Sequence, residues 1–248
     1  MNTDGTRPRQ LTDEAFQFIV HIDSFAWSPD GQHIAFTQYL KADTRASHTT
    51  LQWINVETQE VTVIDVAAQP RIDLPSWSPN GQLLAIADGS GIWIIDREQG
   101  TDLKVADGLY GFAAWSPDGA SIAFLEQCRG GGIEILVMEF ATKNIEPLTR
   151  GECSASALPL TWSPDSRYLA YNGPPIADKF DIKIIDLQKN LITTVTDPLG
   201  GQHTFPTWAN DSQHLAFISV SSRQYEVWLA DIITGELTNL SALYTDEE

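Results

Sequence analysis

The sequence predicts an all-β fold, a β-propeller of four-stranded antiparallel blades, and two observations support this prediction. A tryptophan-centred turn recurs five times at spacings between 38 and 50 residues. Each copy is followed by a small apolar strand, such as His33–Phe36 or Ser121–Phe124. A repeat of this length that contains only short strands is typical of a radial β-repeat. The repeated tryptophans are Trp27, Trp77, Trp115, Trp162 and Trp208.

The turn after each tryptophan connects the first two strands of a blade, which we call A and B. It reads Ser-Pro-Asp-Gly or Ser-Pro-Asn-Gly in the first three units, Ser-Pro-Asp-Ser in the fourth and Ala-Asn-Asp-Ser in the fifth. Serine, proline and glycine suit the first, second and fourth positions of a type I turn. Because a packing aromatic must recur in every unit, we expect the five tryptophans to be buried between blades.

Two further strands, C and D, complete each unit. Strand C is a second apolar run, such as Ile92–Asp96 or Ile182–Asp186, and a polar hairpin joins it to strand D. Four of the C runs end near a residue that favours turns, and the third unit has Glu139 instead. The four turn-favouring residues are Asn55, Asp96, Asp186 and Asp231.

The whole chain, residues 1–248, is predicted to be a single propeller domain. Residues 1–19 form a partial strand and lead-in, and residues 241–248 form a tail. Because residues 4–12 look like the end of a preceding blade, two arrangements stay open: a closed five-bladed ring with an extra edge strand, or part of a six-bladed ring. The five repeats lie near residues 20–65, 66–106, 107–150, 151–196 and 197–240.

Over residues 20–240, the repeated turn, its Ile-Ala-Phe strand and the later Ile-Ile-Asp strand resemble the WD40-like PD40 repeat. That repeat builds the propeller of TolB, the periplasmic component of the bacterial Tol system. It also builds the propeller domains of prolyl-oligopeptidase-type peptidases. The resemblance implies a bacterial propeller with a binding role. The sequence departs from TolB because it shows neither a secretory signal within Met1–Val20 nor an α/β domain before the blades. We therefore expect a cytoplasmic protein for the chain as given, or a periplasmic one if the chain has been trimmed.

Composition excludes several partners. Acidic residues outnumber basic ones by 33 to 15, and the net charge is −18. Such a surface repels phosphate backbones, so nucleic acid is not an expected partner. No run of 18 apolar residues exists, which argues against membrane insertion. The two cysteines, Cys128 and Cys153, lack zinc-ligand spacing; they could approach each other, but we expect free thiols.

No catalytic constellation is recognisable, and we predict no catalytic residue, cofactor or metal. The sequence lacks the Gly-x-Ser-x-Gly nucleophile motif, a dinucleotide fingerprint that opens a helix, and the His-Glu-x-x-His zinc motif. The leading interpretation is a non-enzymatic scaffold that binds a protein or peptide. Two alternatives remain: a small hydrolase or lyase with a metal or carboxylate site at the channel mouth, and a propeller domain detached from a peptidase.

Binding is expected where the B–C loops and the D–A crossovers come together, because those segments differ between units. The longest B–C loop is predicted over Gln38–Thr50 and includes Lys41 and Arg45, which we expect to contact a partner. His33 and His214 share one repeat position and are expected to be structural. The candidate residues at the channel mouth are His21, Asp23, Arg71, Asp73, Tyr110 and His203.

Overall fold

The structure is a computed structural model, and it forms two compact units, residues 1–113 and 114–248. It describes residues 11, 19–40, 48–64, 74–108, 110–129, 131–149, 160–173, 179–196, 199, 201–221 and 224–244. These residues form five antiparallel four-stranded sheets and one short 3-10 helix, and they contain no α-helix. The predicted all-β blade architecture is therefore confirmed.

The first unit holds two blades with sequential strand order. The first blade contains β1 (Ile19–Trp27), β2 (His33–Leu40), β3 (His48–Asn55) and β4 (Val61–Ile64). The second contains β5 (Ser76–Trp77), β6 (Leu83–Ala87), β7 (Gly91–Asp96) and β8 (Asp102–Asp107).

The third blade contains β9 (Tyr110–Trp115), β10 (Ser121–Gln127), β11 (Ile133–Glu139) and β12 (Ile145–Pro147). The boundary between the two units falls within β9. The fourth contains β13 (Thr161–Trp162), β14 (Tyr168–Asn172), β15 (Ile182–Asp186) and β16 (Leu191–Thr194). The fifth contains β17 (Gln202–Trp208), β18 (His214–Ser221), β19 (Gln224–Asp231) and β20 (Leu237–Asn239), and the 3-10 helix Ser241–Tyr244 follows it.

The A–B turns are fixed by one repeated side-chain arrangement. In the third blade the hydroxyl of Ser116 donates to the carboxylate of Asp118 at 2.6 Å and accepts the N–H of Ser121. The same carboxylate accepts the N–H of Ala120. Equivalent bonds recur in the first, second and fourth blades. The Ser-Pro-Asp sequence thus satisfies the backbone donors that a tight turn leaves open.

The C–D hairpins are closed by the predicted residues at the ends of the C strands. The carboxylate of Asp96 accepts the N–H groups of Glu98 and Gln99, and that of Asp231 accepts those of Ile233 and Thr234. Asn55 and Asp186 make the same pair of bonds in their own blades. These side chains therefore cap the hairpins, as their positions in the sequence predict.

Most of the repeated tryptophans are buried. Trp77, Trp115 and Trp162 keep less than a tenth of their surface exposed. In the first unit the indole N–H of Trp77 donates to the carbonyl of Ala26 in the preceding blade. In the second unit Trp162 and Trp208 make the equivalent bonds to Ala114 and Thr161. Each of these tryptophans ties its blade to the one before it.

Trp27 is exposed and Trp208 is only partly buried, so the expectation that all five tryptophans are buried is wrong at these two positions. The side chain of Trp27 is 53% exposed, and Phe25 on the same strand is 64% exposed. Repetition fixes the place of a tryptophan on strand A, but burial also requires a surface packed against it.

The cysteines also differ from expectation. Cys128 is disulfide-bonded, and the prediction of free thiols is wrong for this residue. The only other cysteine in the sequence is Cys153, which lies outside the described residues. Among the described residues no helix is long and apolar enough to cross a membrane.

Candidate functional site

Each described blade has two chemically different ends. We call one end the turn face; it carries the A–B turns (residues 28–32, 78–82, 116–120, 163–167 and 209–213) and the C–D hairpins. We call the other end the loop face; it carries the ends of the B strands near residues 38, 88, 126, 172 and 219 and the chain leading into strand A. The antiparallel strand order of each sheet places the two kinds of connection at opposite ends.

The predicted site residues fall into two groups. His21 and Asp23 lie within β1, and Tyr110 begins β9, so their backbones belong to A strands. His203 lies within β17 and is described in full. The remaining candidates lie outside the described residues; they are Lys41, Arg45, Arg71 and Asp73.

His203, one of the residues predicted at the channel mouth, is buried completely. Its ring meets Phe217 edge-on, with the ring centroids 5.7 Å apart. Burial lowers the pKa of this imidazole, although the nearby carboxylate of Asp181 raises it in part. The ring is therefore neutral at pH 7 and offers one N–H donor and one acceptor nitrogen.

The backbone around His203 connects the fourth and fifth blades of the second unit. The N–H of His203 donates to the carbonyl of Phe180 at 2.9 Å. Its carbonyl accepts the side-chain amide of Asn172, which ends strand β14. Immediately beyond, the pairing of β17 with β18 shifts register between Thr204 and Thr207. This bulge holds Phe205 at a φ of 56°, and bulges of this kind redirect the side chains beside them.

Three buried polar atoms at this point have no hydrogen-bond partner among the described residues. They are both ring nitrogens of His203 and the amide oxygen of Asn172. Buried polar groups are normally paired, and an unpaired one costs free energy. The loop face of the second unit therefore has hydrogen-bonding capacity that its described residues do not use.

The first unit also carries buried polar side chains on its loop face. The hydroxyls of Ser24 and Thr37 lie 2.8 Å apart, and the amide of Gln52 donates to the side-chain oxygen of Gln38. In the second blade Asp88 is 2% exposed. One of its oxygens accepts the N–H groups of Ser90 and Gly91 and the hydroxyl of Ser90, whereas the other has no partner within the described part of the chain.

These residues suit recognition through hydrogen bonds. Amide groups, hydroxyls and a neutral imidazole can each bind polar groups of a ligand, including a peptide main chain. Among the described residues no group of three or more His, Cys, Asp or Glu side chains is arranged to hold a metal ion.

The sequence interpretation missed Asn172, Gln38 and Asp88. Each lies ten or eleven residues after its motif tryptophan, where strand B ends. The signal was a polar residue at or near the end of a mainly apolar B strand, at two neighbouring positions of the repeat. His203 was found, but strand A of the fifth blade begins one residue earlier, so the ring points into the sheet packing and not into solvent.

Comparison with known proteins identifies the family. The family model of the TolB beta propeller domain, PD40, matches residues 1–209 of the 248 in the chain. The chain belongs to this family. PD40 membership agrees with the repeated Trp-Ser-Pro-Asp turn and with the five four-stranded sheets.

Individual relatives of this PD40 chain differ in what they do. It is 29% identical over 119 residues to YuxL, an uncharacterized peptidase of Bacillus subtilis (strain 168); the match covers 45% of this chain and 18% of that protein. The structure resembles TolB from Acinetobacter baumannii with a TM-score of 0.65 and 22% identity, over 85% of this chain and 53% of that one. It resembles an oligogalacturonate lyase from Vibrio parahaemolyticus with a TM-score of 0.71 and 14% identity, over 93% of this chain and 68% of that one.

The chain thus spans about a fifth of the length of the peptidase and about half the length of this TolB. At these identities the two structural similarities show the propeller fold and nothing further about activity.

Proposed function

We propose that this PD40 propeller is a non-enzymatic module that binds a protein or peptide through its loop face. The similarity to TolB supports a protein partner, and the acidic surface favours a partner that is basic or neutral.

The observation that carries the proposal is the difference between the two faces. On the turn face the repeated serine and aspartate side chains are occupied with the backbone of their own turns. On the loop face Asn172 and His203 hold polar atoms that no described residue satisfies. A ligand that supplies donors and acceptors there provides hydrogen bonds that the described residues do not make, and this favours binding.

The test is partner capture from the native host with two charge-reversed variants. The double variant Lys41→Glu/Arg45→Glu alters the loop that is predicted between β2 and β3. The matched control is Lys143→Glu/Lys189→Glu, the same charge reversal in two exposed hairpin positions of the turn face. Asp118 and Asp165 are poor controls, because their carboxylates hold the turns together.

We expect the loop variant to retain less than a fifth of the captured partner, measured by quantitative mass spectrometry, and the control to retain nearly all. Loss of the partner in the control alone, with circular dichroism unchanged, would place the contact on the turn face and contradict the proposal.

A second candidate function follows from the similarity to YuxL, which is described as a peptidase. In this case the propeller would serve a peptidase as its accessory domain. The test is hydrolysis of aminoacyl p-nitroanilides by the complex captured with this propeller from the native host, compared with the purified propeller alone. Turnover by the captured complex but not by the propeller alone supports the accessory role, whereas absence of turnover in both samples contradicts it.

We further propose an oxidising compartment, such as the bacterial periplasm, for this protein. The disulfide at Cys128 supports it, because such bonds persist outside reducing cytosol. Fractionation of native cells, with immunoblotting of each fraction, tests this: recovery with the cytosolic markers alone would exclude it.

A further inference from the structure

A groove of about 540 Å³ lies between the fourth and fifth blades, within the second unit and near its turn face. Its walls are the outer strands β16 and β20 and the hairpins that precede them. Its floor is apolar and is formed by Ile184, Val195, Ala230 and Leu237. The groove is separate from the loop-face residues Asn172 and His203, which do not line it.

Strand β16 has an edge suited to pairing with another chain. Within its sheet it pairs only with β15, so alternate N–H and C=O groups point away from that partner. Its sequence, Leu191 to Thr194, contains no charge and no proline. In contrast, the outer strand β12 ends in Pro147, and β8 contains Lys104 between aspartates. Charges and prolines are the devices that block edge pairing, and β16 lacks them, as do β4 and β20. Of the strands β4 and β16, β16 is the one that borders this groove.

The rim of the groove carries two carboxylates in different states. Asp186 is already paired: Arg167 lies 2.8 Å away and Lys189 lies 3.8 Å away. Asp231 accepts two backbone N–H groups of its hairpin. These bonds lower the pKa of Asp231, so it is ionised at pH 7. No lysine or arginine of the described residues forms an ion pair with it.

Exposed apolar side chains flank the groove. Leu191 is 53% exposed at the start of β16, and Ile233 is 66% exposed in the hairpin beside Asp231. A ligand that covers them removes apolar surface from water.

We propose that this groove binds an extended peptide of alternating apolar and basic residues, which adds a strand along β16. Apolar side chains of the peptide occupy the floor, and a lysine or arginine pairs with Asp231. Main-chain hydrogen bonds to a sheet edge, with pockets for alternate side chains, form an established mode of peptide recognition.

The probe is an acetylated, amidated and fluorescein-labelled peptide of three Val-Lys repeats, with three Val-Glu repeats as the opposite-charge control. Binding to the full chain is followed by fluorescence anisotropy at low salt. We expect saturable binding of the Val-Lys peptide and at least tenfold weaker binding of the Val-Glu peptide. Absence of saturation up to 1 mM peptide, or equal binding of both peptides, overturns the proposal. A Kd of 1 mM corresponds to a binding free energy of about −4 kcal/mol.

Two pairs of variants locate the contact. Asp231→Asn removes the charge but keeps the hairpin cap, because Asn55 caps the first blade with the same bonds. Its matched control is Asp96→Asn, the same hairpin position in the second blade. Leu191→Lys places a repelling charge in the groove, and Leu103→Lys makes the same change at another exposed leucine on an outer strand.

We expect Asp231→Asn and Leu191→Lys to weaken binding of the Val-Lys peptide at least fivefold, and both controls to stay within twofold of the wild type. Equal weakening by a variant and its control would mean that the peptide responds only to net charge, and the groove proposal would be wrong. The loop variant Lys41→Glu/Arg45→Glu should bind the probe at least as well as the wild type, so this result separates the groove from the loop face.

Discussion

The backbone N–H of Asp118 donates a hydrogen bond to the hydroxyl of Ser166, 3.0 Å away, and so joins the turn of the third blade to that of the fourth. The N–H of Asp165 makes the same bond to Ser212 in the fifth blade. Ser166 and Ser212 have φ values of 61° and 58°, where Gly31, Gly81 and Gly119 stand in the other turns. Each of these serines thus adopts the left-handed backbone conformation that glycine favours, at a position where its hydroxyl accepts a hydrogen bond from the preceding blade.

Two substitutions at Ser166 separate the backbone strain from the hydrogen bond. Both Ser166→Ala and Ser166→Gly remove the hydroxyl, but only alanine keeps a Cβ in the left-handed region. We expect Ser166→Ala to lower the free energy of unfolding by about 1 kcal/mol more than Ser166→Gly does. Urea unfolding measures the difference, and an alanine variant as stable as the glycine variant would contradict it.

Trp115 and Trp27 occupy the same repeat position but differ in burial. Trp115 is 6% exposed and packs edge-on against Phe140 with ring centroids 4.6 Å apart, whereas Trp27 is 53% exposed. We expect Trp115→Ala to lower the free energy of unfolding by about 3–5 kcal/mol. Trp27→Ala should cost less, about 1–2 kcal/mol, because about half of its surface stays in contact with water in the folded protein. Equal losses, measured by urea unfolding, would mean that Trp27 is buried in solution.

His33 and His214 share a repeat position, yet their pKa values shift in opposite directions. Burial lowers the pKa of His33, and the positive charge of Arg97 lowers it further, while Asp30 raises it in part. A hydrogen bond from the imidazole to Asp211 at 2.7 Å raises the pKa of His214. NMR titration should place the two values on opposite sides of 6.5, and a shared midpoint would contradict the ion pair with Asp211.

The two histidines therefore affect stability in opposite ways as pH changes. The contribution of His214 is complete below its unfolded pKa and is lost as pH rises through its higher folded pKa. His33 binds its proton less readily when folded, so its burial destabilises the protein as pH falls below about 6.5. The pKa of Asp211 is lowered to about 2, chiefly by the N–H of Gln213, so its own contribution is lost only as pH falls towards that value. His214→Gln should reduce the loss of stability between pH 6 and 8, as followed by melting temperature, and a steeper loss would contradict this sign.

The disulfide at Cys128 should stabilise the second unit by limiting its unfolded state. A bond to Cys153, the only other cysteine, would close a loop of about 25 residues and contribute about 3 kcal/mol. Reduction with dithiothreitol should lower the melting temperature of the wild type and leave Cys128→Ser unchanged. Two free thiols per chain in an unreduced sample, counted with Ellman's reagent, would show that the bond does not form.

The turns and hairpins could be predicted from the sequence because their chemistry is local. Ser116, Asp118 and Asp96 make the bonds that their turn positions require, whatever packs around them. Burial could not be predicted in the same way, because it depends on surfaces distant in sequence. Trp27 carries the repeat signal and is exposed, whereas the polar residue His203 is completely buried.

The candidate site also has features that the sequence predicts and features that depend on distant contacts. Its place at the loop ends of the blades followed from strand order, and His203 was among the predicted residues. Asn172 was not predicted, because its role depends on a contact with a residue 31 positions later in the chain.

Hydrogen–deuterium exchange on the captured complex tests the loop-face account most directly. Comparison of free and bound protein should show slower exchange in the loop-face peptides of the second unit, which cover residues 172–181 and 196–203, because a partner there excludes water from them. Peptides that cover the turns at 28–32, 116–120 and 163–167 should exchange at unchanged rates. Protection confined to those turns, with the loop-face peptides unaffected, would contradict the proposed contact surface.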